Sequence, residues 1–366
     1  MSVSHSAEQR EFRRVVRSFF EAKSPEAVVR ETMVGERGFD PELWALLADQ
    51  TAVQGLTIPE EFGGTGFTFV ETAIVLEEAG RALLCEPLLA TTIATMAILG
   101  SGDHVAMKQW LPRIASGATI ATVASIDEST SADRREVTTC ASPTDDGWLV
   151  DGVKAYVVDG EAATLMLVVA QTDDDYGLFA VDPTNPAVRR TRMIGIDETR
   201  RLARVEMRGV PAERVGGRFD VGGLDRVATV ALACEQVGVA ERALEMAVEY
   251  AKHRIQFGRP IGSFQAVKHM CADMMAGVEA MRAAALVAAR AVADGSSDLP
   301  EIAAIAGSVC SEICRDVART NIQVHGAIAF TWEYPAHLYF KRAIADELLF
   351  GDPASHREQL ARAIGL

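Results

Sequence analysis

The chain has 366 residues, enough for two or three domains with a large core, and a formal net charge of -15. Hydrophobic residues make up 49% of it and aromatic residues only 6%, which favours packed helices over a β-sandwich. The negative charge argues against a nucleic-acid or anionic-membrane partner, because the sequence offers no basic stripe on which either would dock. No apolar run is long enough to span a bilayer.

The first 115 residues predict helices. At the N-terminus, arginines alternate with apolar residues, a pattern shared by transit peptides and amphipathic helices. Glu8, Glu11 and Glu21, and the lack of a cleavage-like site of small residues, favour an ordinary amphipathic helix. Helices are also expected over residues 41–48 and 70–81, the latter ending at Gly80. Residues 55–66 between them form a loop, because Pro59 bars a helix there and the glycines permit positive φ.

The cysteines show neither a CxxC pair nor a set of histidine partners, which favours buried apolar side chains over a metal site. They are Cys85, Cys140, Cys234, Cys271, Cys310 and Cys314. This usage fits a reducing compartment, and we expect a cytoplasmic protein.

From about residue 118 the pattern changes to short β-rich runs separated by Asp, Gly, Pro and Asn. Strands are expected at residues 119–125, 148–150, 155–158, 165–170, 178–181 and 204–207. Residues 148–154 resemble a hairpin, and residues 173–175 are interpreted as a solvated acidic turn rather than a metal site.

Helical periodicity returns after Gly223 and holds to the end, with breaks at the segment that begins at Arg254, at residues 295–298 and at residues 351–353. The segment Arg254–Gln265 places an arginine, a phenylalanine and a glycine close together. Such a set suits a planar anionic cofactor, with Arg for phosphate, Phe for a ring face and Gly for close backbone approach. The alternative is an exposed joint between two helices.

This segment, R-x-x-F-G-x-x-I-x-x-F-Q, resembles the signature of the flavin-dependent acyl-CoA dehydrogenases. Residues 55–66 resemble the GL-x-x-PEE-y-GG-x-G loop of that family, residues 76–83 the helix after it, and residues 148–154 its W-x-L-D-G-x-K stretch. The resemblance implies an α+β multidomain fold. Its parts would be an N-terminal helical domain (1–117), a middle β-barrel-like domain (118–217) and a C-terminal four-helix bundle that mediates oligomerisation (218–366).

The resemblance also implies FAD as cofactor. Arg254, Phe257 and Gln265 would hold it, while Gln323 and Gly326 would cover the pyrophosphate of a neighbouring chain's FAD. Three positions depart from the family pattern. Ala327 and Ala329 stand where it has glycine, which thickens the backbone at the phosphate and removes cheap positive φ, and Val158 stands where it has Ser or Thr.

A further departure concerns the catalytic base. Oxidation of an acyl-CoA at its α and β carbons needs a carboxylate to remove the α-proton. By resemblance the base position is Phe350, or Ala228 in the branch that carries it on an earlier helix, and neither is acidic. Asp352 is the candidate that remains, and its alternative role is the N-cap of the last helix, with Pro353 in the first turn.

Three other polar residues keep two interpretations each. Glu235, on an otherwise apolar helix, is either a buried paired residue or an acid in a pocket. His325 and His337 either contact phosphate or pack and cap within the fold.

These departures resemble one branch of the family, the bacterial heteromeric enzymes of steroid side-chain type, in which one subunit lacks the base and its partner supplies it. The implied function is α,β-dehydrogenation of an acyl-CoA, with electrons passing to an electron-transferring flavoprotein. The chain would work as a tetramer, with itself or with a second subunit. The alternative is a catalytically silent subunit that completes a partner's FAD site.

Overall fold

The computed structural model describes residues 5–128 and 137–366. The chain packs into two compact units. The first unit contains Met1–Arg30, Phe69–Leu84 and Arg226–Leu366, and the second contains Glu31–Thr68 and Cys85–Asp225. The predicted domain boundaries near 117 and 217 stay predictions. In the described ranges, no helix is both long and apolar enough to cross a membrane.

The N-terminal third is helical, as predicted. Its helices are α1 (Ala7–Lys23), α2 (Glu26–Val34), α3 (Pro41–Leu46), α4 (Phe69–Ala82), α5 (Leu88–Ser101) and α6 (His104–Ala115). Helix α1 begins with a capping box, in which Ser6 and Gln9 bond each other's backbone N–H groups, and it buries Val16 and Phe20. The amphipathic first helix is therefore confirmed.

Helix α4 does not end at Gly80, contrary to the prediction. Gly80 lies where α4 crosses helix α7 (Val221–His253): a Cβ atom on Gly80 would lie 2.1 Å from the carbonyl oxygen of Glu235. On α7, a Cβ atom on Gly238 would lie 1.7 Å from the carbonyl oxygen of Glu77. Both glycines therefore serve the packing of one helix backbone on another, and neither is a helix terminator.

The predicted loop at residues 55–66 is confirmed. It contains the 3-10 turns Val53–Gly55 and Glu60–Phe62. Gly63 and Gly66 have φ of 81° and 66°, and a Cβ atom on Gly64 would lie 2.1 Å from the carbonyl oxygen of Ile58. The loop thus needs its glycines for positive φ and for close packing.

The second unit contains a β-barrel-like sheet. Its strands are β1 (Ala121–Ala124), β2 (Cys140–Thr144), β3 (Gly147–Val158), β4 (Leu165–Gln171), β5 (Tyr176–Val181), β6 (Val188–Met193) and β7 (Leu202–Val215). The pairings β4–β2, β2–β3, β3–β7, β7–β5 and β5–β4 form a ring, while β1 extends β4 and β6 extends β7. The core inside includes Val150, Met166, Phe179 and Val205.

The sheet differs from the sequence prediction in two respects. Residues 148–154 are not a hairpin: they lie within strand β3, and the hairpin is formed by β2 and β3, which pair Thr144 with Gly147. Strands β2 and β6 were not predicted, because their exposed polar residues hide the alternation of a half-buried strand. Residues 173–175 form the turn between β4 and β5, where Asp175 pairs with Arg214 at 3.0 Å.

Two buried cations hold parts of this unit together. Lys154 is fully buried, its Nζ lies 2.7 Å from Asp127 Oδ2, and burial lowers its pKa to about 8. Arg201, before β7, donates to the carbonyl oxygens of Met33 and Gly35 at 3.0 and 2.5 Å. Arg201 thus joins the start of β7 to the connection between α2 and α3.

Helices return after β7, again as predicted. They are α7, α8 (Gln265–Ala293), α9 (Leu299–His325), α10 (Ala336–Leu348) and α11 (Pro353–Ala363), so the predicted four-helix bundle consists here of three long helices and two short ones. Of the six cysteines expected to be buried, Cys85, Cys234, Cys310 and Cys314 are buried and free, and Cys271 on α8 is partly exposed. The prediction is wrong for Cys140, which is exposed because its side of strand β2 faces solvent. A further break at residues 326–335 was not predicted.

The crossing of α4 and α7 generates the first prediction. We expect Gly238→Ala to lower the free energy of unfolding by ~3 kcal/mol or more, because its methyl group would overlap the Glu77 carbonyl and force the helices apart. Urea unfolding followed by far-UV circular dichroism measures this. The control is Gly100→Ala on α5, where a Cβ atom meets nothing within 4 Å, so that this change raises stability by ~0.5–1 kcal/mol. Equal midpoints for the Gly238 variant and the wild type would contradict the close crossing.

Candidate cofactor and active site

The predicted cofactor segment is a small hairpin between α7 and α8. Strands β8 (Ile255–Gln256) and β9 (Arg259–Pro260) pair Gln256 with Arg259, and the turn between them consists of Phe257 and Gly258. Both turn residues have positive φ, 53° and 75°, as a two-residue hairpin of the I′ type requires. The sequence predicted the reversal but not these strands.

Phe257 has a strained backbone conformation, and burial of its side chain does not offset the strain. A residue other than glycine in the left-handed region is strained by ~1–3 kcal/mol, and the Phe257 side chain is 91% exposed. Its ring meets that of Phe264 edge-on at 6.1 Å, and the Arg259 guanidinium lies 4.1 Å from the Phe264 ring centroid. The hairpin therefore presents an aromatic face flanked by a cation.

Arg254 and Gln265, at the two ends of the segment, are exposed. The backbone holds Arg254 in place: its N–H donates to the Tyr250 carbonyl, and its own carbonyl accepts from the Ile261 N–H, both at 2.8 Å. The Arg254 guanidinium forms no ion pair with any residue in the described ranges. It is thus available to a phosphate or another anion.

The segment predicted to cover the pyrophosphate of a neighbouring chain's FAD lies at the end of α9. Gln323 is exposed, and Gly326 ends the helix with φ of 68° and ψ of -144°, a conformation suited to glycine. Of the two alanines in the 3-10 turn Gly326–Phe330, Ala327 is exposed, whereas Ala329 is fully buried beside Ile322. Neither alanine has positive φ. The methyl group of Ala327 therefore stands on the accessible surface and that of Ala329 does not.

Aromatic stacking brings the ends of α7 and α9 together. The rings of Tyr250 and His325 stack at 4.3 Å, and Tyr334 packs against both. His325 Nδ1 lies 2.9 Å from the Asn321 carbonyl, so Nδ1 carries the hydrogen, and burial lowers the pKa of the ring. The hairpin and the cover of one chain are thus anchored at adjacent helix ends.

His337 is also buried, and it packs edge-on against Trp332 at 4.7 Å. Burial lowers the pKa of His337, and the nearby charges of Lys341 and Arg30 lower it further. Both histidines singled out from the sequence therefore pack within the fold, and their contact with phosphate stays a prediction.

Chain neighbours of the two base positions, Gly351 and Thr229, lie close to one buried histidine, His356. A Cβ atom on Gly351, next to Phe350, would lie 3.0 Å from His356 Cε1. A Cβ atom on Gly307 would lie 2.8 Å from His356 and 2.7 Å from the side chain of Thr229, which follows Ala228. Phe350 has φ of 60° and Ala228 is buried. The neighbours of two positions 122 residues apart in sequence thus come together in the first unit, and neither position has a carboxylate.

Asp352 acts as the N-cap of α11. Its side chain accepts the Ser355 N–H at 2.7 Å, and Pro353 occupies the first turn. This is the alternative role expected from the sequence. Its function as a base stays a prediction.

Glu235 is a paired residue. Its Oε1 lies 2.5 Å from Arg342 Nη1, and the two side chains are 4% and 1% exposed. An ion pair this deeply buried ties α7 to α10. The sequence left two interpretations of Glu235 open, and in the structure Glu235 is the buried, paired residue.

In the barrel, Val158 stands where the family pattern has Ser or Thr, and the exposed residue near it is Tyr156. Tyr156 has φ of 55° and is 51% exposed, whereas Val158 is buried and its carbonyl accepts the Thr122 hydroxyl at 2.6 Å. Of these two residues, Tyr156 has the accessible side chain, and Val158 has no hydroxyl group to offer.

Comparison with known proteins decides the family. A profile of the acyl-CoA dehydrogenase C-terminal domain matches residues 226–365, and one of the N-terminal domain matches residues 6–118. The acyl-CoA dehydrogenase IpdE2 of Mycobacterium tuberculosis is 37% identical over 355 residues, which cover 97% of this chain and 96% of that protein. The chain belongs to the acyl-CoA dehydrogenase family. Members of this family are flavoproteins and oxidoreductases that act on acyl-CoA.

Solved structures of this family agree in fold. The ChsE4-ChsE5 complex of Mycobacterium tuberculosis contains a chain with 30% identity and a TM-score of 0.92, matched over 100% of this chain and 99% of that one. A steroid acyl-CoA dehydrogenase described as Tcur3481-Tcur3483 G363A has 31% identity and a TM-score of 0.90, with 98% and 97% coverage. The predicted resemblance to the heteromeric steroid-type branch is thereby confirmed.

One buried acid was not singled out from the sequence. Glu86, before helix α5, is 6% exposed; the Asp40 N–H lies 3.5 Å from its Oε1, and its Oε2 has no hydrogen-bond partner in the described part of the chain. Burial raises its pKa to about 7, and the carboxylates of Asp40 and Asp159 add to this. The available signal was an acidic residue between Cys85 and Pro87, with apolar residues on either side.

This pKa gives the second prediction. Because the folded-state pKa of Glu86 lies near 7 and its ordinary value is 4.5, the folded chain binds the proton more tightly. The contribution of Glu86 to the free energy of unfolding is therefore fully present below pH 4.5 and is lost as the pH rises through 7. We expect Glu86→Gln to flatten this dependence and to be more stable than the wild type by ~2 kcal/mol at pH 8.5.

Urea unfolding at several pH values between 5.5 and 8.5 measures the difference. The control Glu42→Gln, at an exposed position on α3, keeps the pH slope of the wild type. A Glu86→Gln variant with that same slope would mean that Glu86 ionises normally.

Proposed function

We propose that this chain takes part in the FAD-dependent α,β-dehydrogenation of an acyl-CoA thioester, with electrons passing to an electron-transferring flavoprotein. The observation that carries the proposal is the hairpin, with its exposed and strained Phe257. Arg254 and Arg259 lie on either side of Phe257, and neither forms an ion pair within the described residues. Strain and exposure together on one aromatic ring are characteristic of a surface shaped for a ligand or partner. Bound FAD would supply the acceptor for the hydride that leaves the β-carbon.

The residues of this chain would hold and cover the cofactor. Arg254 would pair with phosphate oxygens, Phe257 would face a ring, and Gln265 would donate a hydrogen bond. Gln323 and Gly326 would cover the pyrophosphate of a neighbouring chain's cofactor. The exposed methyl group of Ala327 on that cover is expected to weaken it.

We further propose that the base comes from a second, different subunit. Phe350 and Ala228 are not acidic, Asp352 caps α11, and Glu235 is paired with Arg342. Each carboxylate considered in this chain thus has a structural role, which favours a partner that supplies the general base. In the strongest form of this proposal, the chain is catalytically silent and only completes the FAD site of its partner.

The substrate is proposed to be a bulky acyl-CoA of steroid side-chain type. The similarity to a steroid acyl-CoA dehydrogenase at 31% identity over 98% of this chain supports this class. The ChsE4-ChsE5 complex, an assembly of two different chains, supports a heteromeric organisation.

Flavin content tests the shared site. We expect the chain purified alone to lose its flavin, because Ala327 weakens the segment that covers the pyrophosphate. The chain co-expressed with a second acyl-CoA dehydrogenase subunit is expected to retain its flavin. Absorbance near 450 nm relative to protein, after gel filtration, measures the content. A lone chain that retains FAD in full proportion would contradict the proposal and point to a homomeric enzyme.

The role of Asp352 is tested with Asp352→Asn in the flavin-containing complex. Asparagine caps a helix as well as aspartate does, so the variant removes the charge and keeps α11. We expect flavin reduction by acyl-CoA within ~3-fold of the wild type, since such a change in rate is under 1 kcal/mol. Stopped-flow absorbance measures the rate, and Asp352→Ala shows the effect of losing the cap. Loss of reduction with FAD and stability intact would identify Asp352 as the base.

A further inference from the structure

The first unit contains a cavity that the proposed chemistry does not use. It has a volume of about 310 Å³ and lies among the C-terminal halves of α1 and α4 and the start of α10. Its apolar wall includes Phe20, Val29, Leu83 and Leu338, each no more than 3% exposed. This volume is at the lower end of the range for small-molecule sites, ~300–1,000 Å³.

The polar wall of the cavity is rich in guanidinium groups. Arg17, Arg81 and Arg242 line it, and the enclosed carboxylate beside them is Glu78, with a side chain 1% exposed. Glu78 accepts two hydrogen bonds from Arg17, at 2.7 and 2.9 Å. Glu21, also on the wall, is 62% exposed and reaches Arg81 only at 3.9 Å. Glu26, the third carboxylate on the wall, pairs with Arg30 at 2.7 Å. Within the described residues, Arg81 and Arg242 therefore have no carboxylate of the cavity wall closer than 3.9 Å.

Arg81 and Arg242 share a carboxylate outside the cavity lining. Glu245 lies 2.7 Å from Arg81 Nη1 and 3.1 Å from Arg242 Nη1. Arg81 Nη1 also lies 3.8 Å from Glu241 Oε2, and it forms no hydrogen bond within the described residues. Burial opposes ionisation of Glu245, yet the two arginines lower its pKa. Each guanidinium has five N–H donors, more than these carboxylates engage, so donor capacity remains at the cavity wall.

A network that served only to join helices would be expected to fill the space beside it, since protein interiors are close-packed. Here Arg81 and Arg242 border an open volume whose wall also includes apolar side chains. We propose that this cavity binds a small organic carboxylate with an apolar body, its carboxylate at Arg81 and Arg242 and its body against Phe20, Val29 and Leu338. A carboxylate suits the planar fork of guanidinium, which binds it through two parallel hydrogen bonds.

Octanoate is the probe, and isothermal titration calorimetry of the full chain, alone or in its complex, is the measurement. We expect saturable binding that Arg242→Gln weakens by ~10-fold or more, the effect of losing a charge-assisted hydrogen bond. The control Arg14→Gln removes a guanidinium from the same helix as Arg17, at an exposed pair with Glu11 outside the cavity, and leaves binding unchanged. Octylamine, with the same body and the opposite charge, is not expected to bind.

A second variant keeps the test independent of the charge network. Ala82→Leu adds bulk at the cavity wall and leaves every arginine in place, so we expect it to abolish binding while the unfolding temperature stays near that of the wild type. The proposal is wrong if octanoate fails to saturate the wild type, if octylamine binds as well, or if both cavity variants bind like the wild type. Because binding is measured without flavin reduction, these results do not depend on the proposed dehydrogenation.

Discussion

Direct contact between the backbones of α4 and α7 is the constraint on which the first unit depends. Gly80 and Gly238 allow this contact, since a methyl group on either would overlap a carbonyl oxygen of the other helix. Helices this close bring Glu77 and Glu78 on α4 beside Glu241 and Glu245 on the next turns of α7. Arginines from α1, α4, α7 and α8 pair with these carboxylates. A contact between two small residues thus arranges a large charged network.

Two acidic residues, Glu235 and Asp352, hold helices in place. Glu235 lies one turn before Gly238 on α7 and is held by Arg342 of α10, and Asp352 is held by the first turn of α11. These interactions fix the segment around Phe350 from both sides. These two carboxylates therefore serve to position this segment. Beside it, Gly351 and Gly307 lie close to the buried His356.

Sequence reasoning predicted the helical and β regions, the reversal at Arg254, the N-cap role open to Asp352 and the family, because each depends on local patterns or on a motif. It could not predict that Gly80 is a packing residue, since the atom it approaches belongs to residue 235. Strands β2 and β6 were missed because their side chains do not alternate clearly between apolar and polar. The pairing of Glu235, the pKa of Glu86 and the cavity beside Arg81 all arise between segments distant in sequence, which a pattern within one segment does not report.

Arg201 has a consequence for how the chain folds as it is synthesised. Its guanidinium bonds to carbonyl groups 168 and 166 residues earlier, and its side chain lies against Gly38, where a Cβ atom would be 2.4 Å from Nε. The connection between α2 and α3 therefore leaves the ribosome long before the residue that completes it. Until β7 emerges, the carbonyls of Met33 and Gly35 must be satisfied by water. This part of the second unit reaches its final hydrogen bonding only after more than half of the chain has been made.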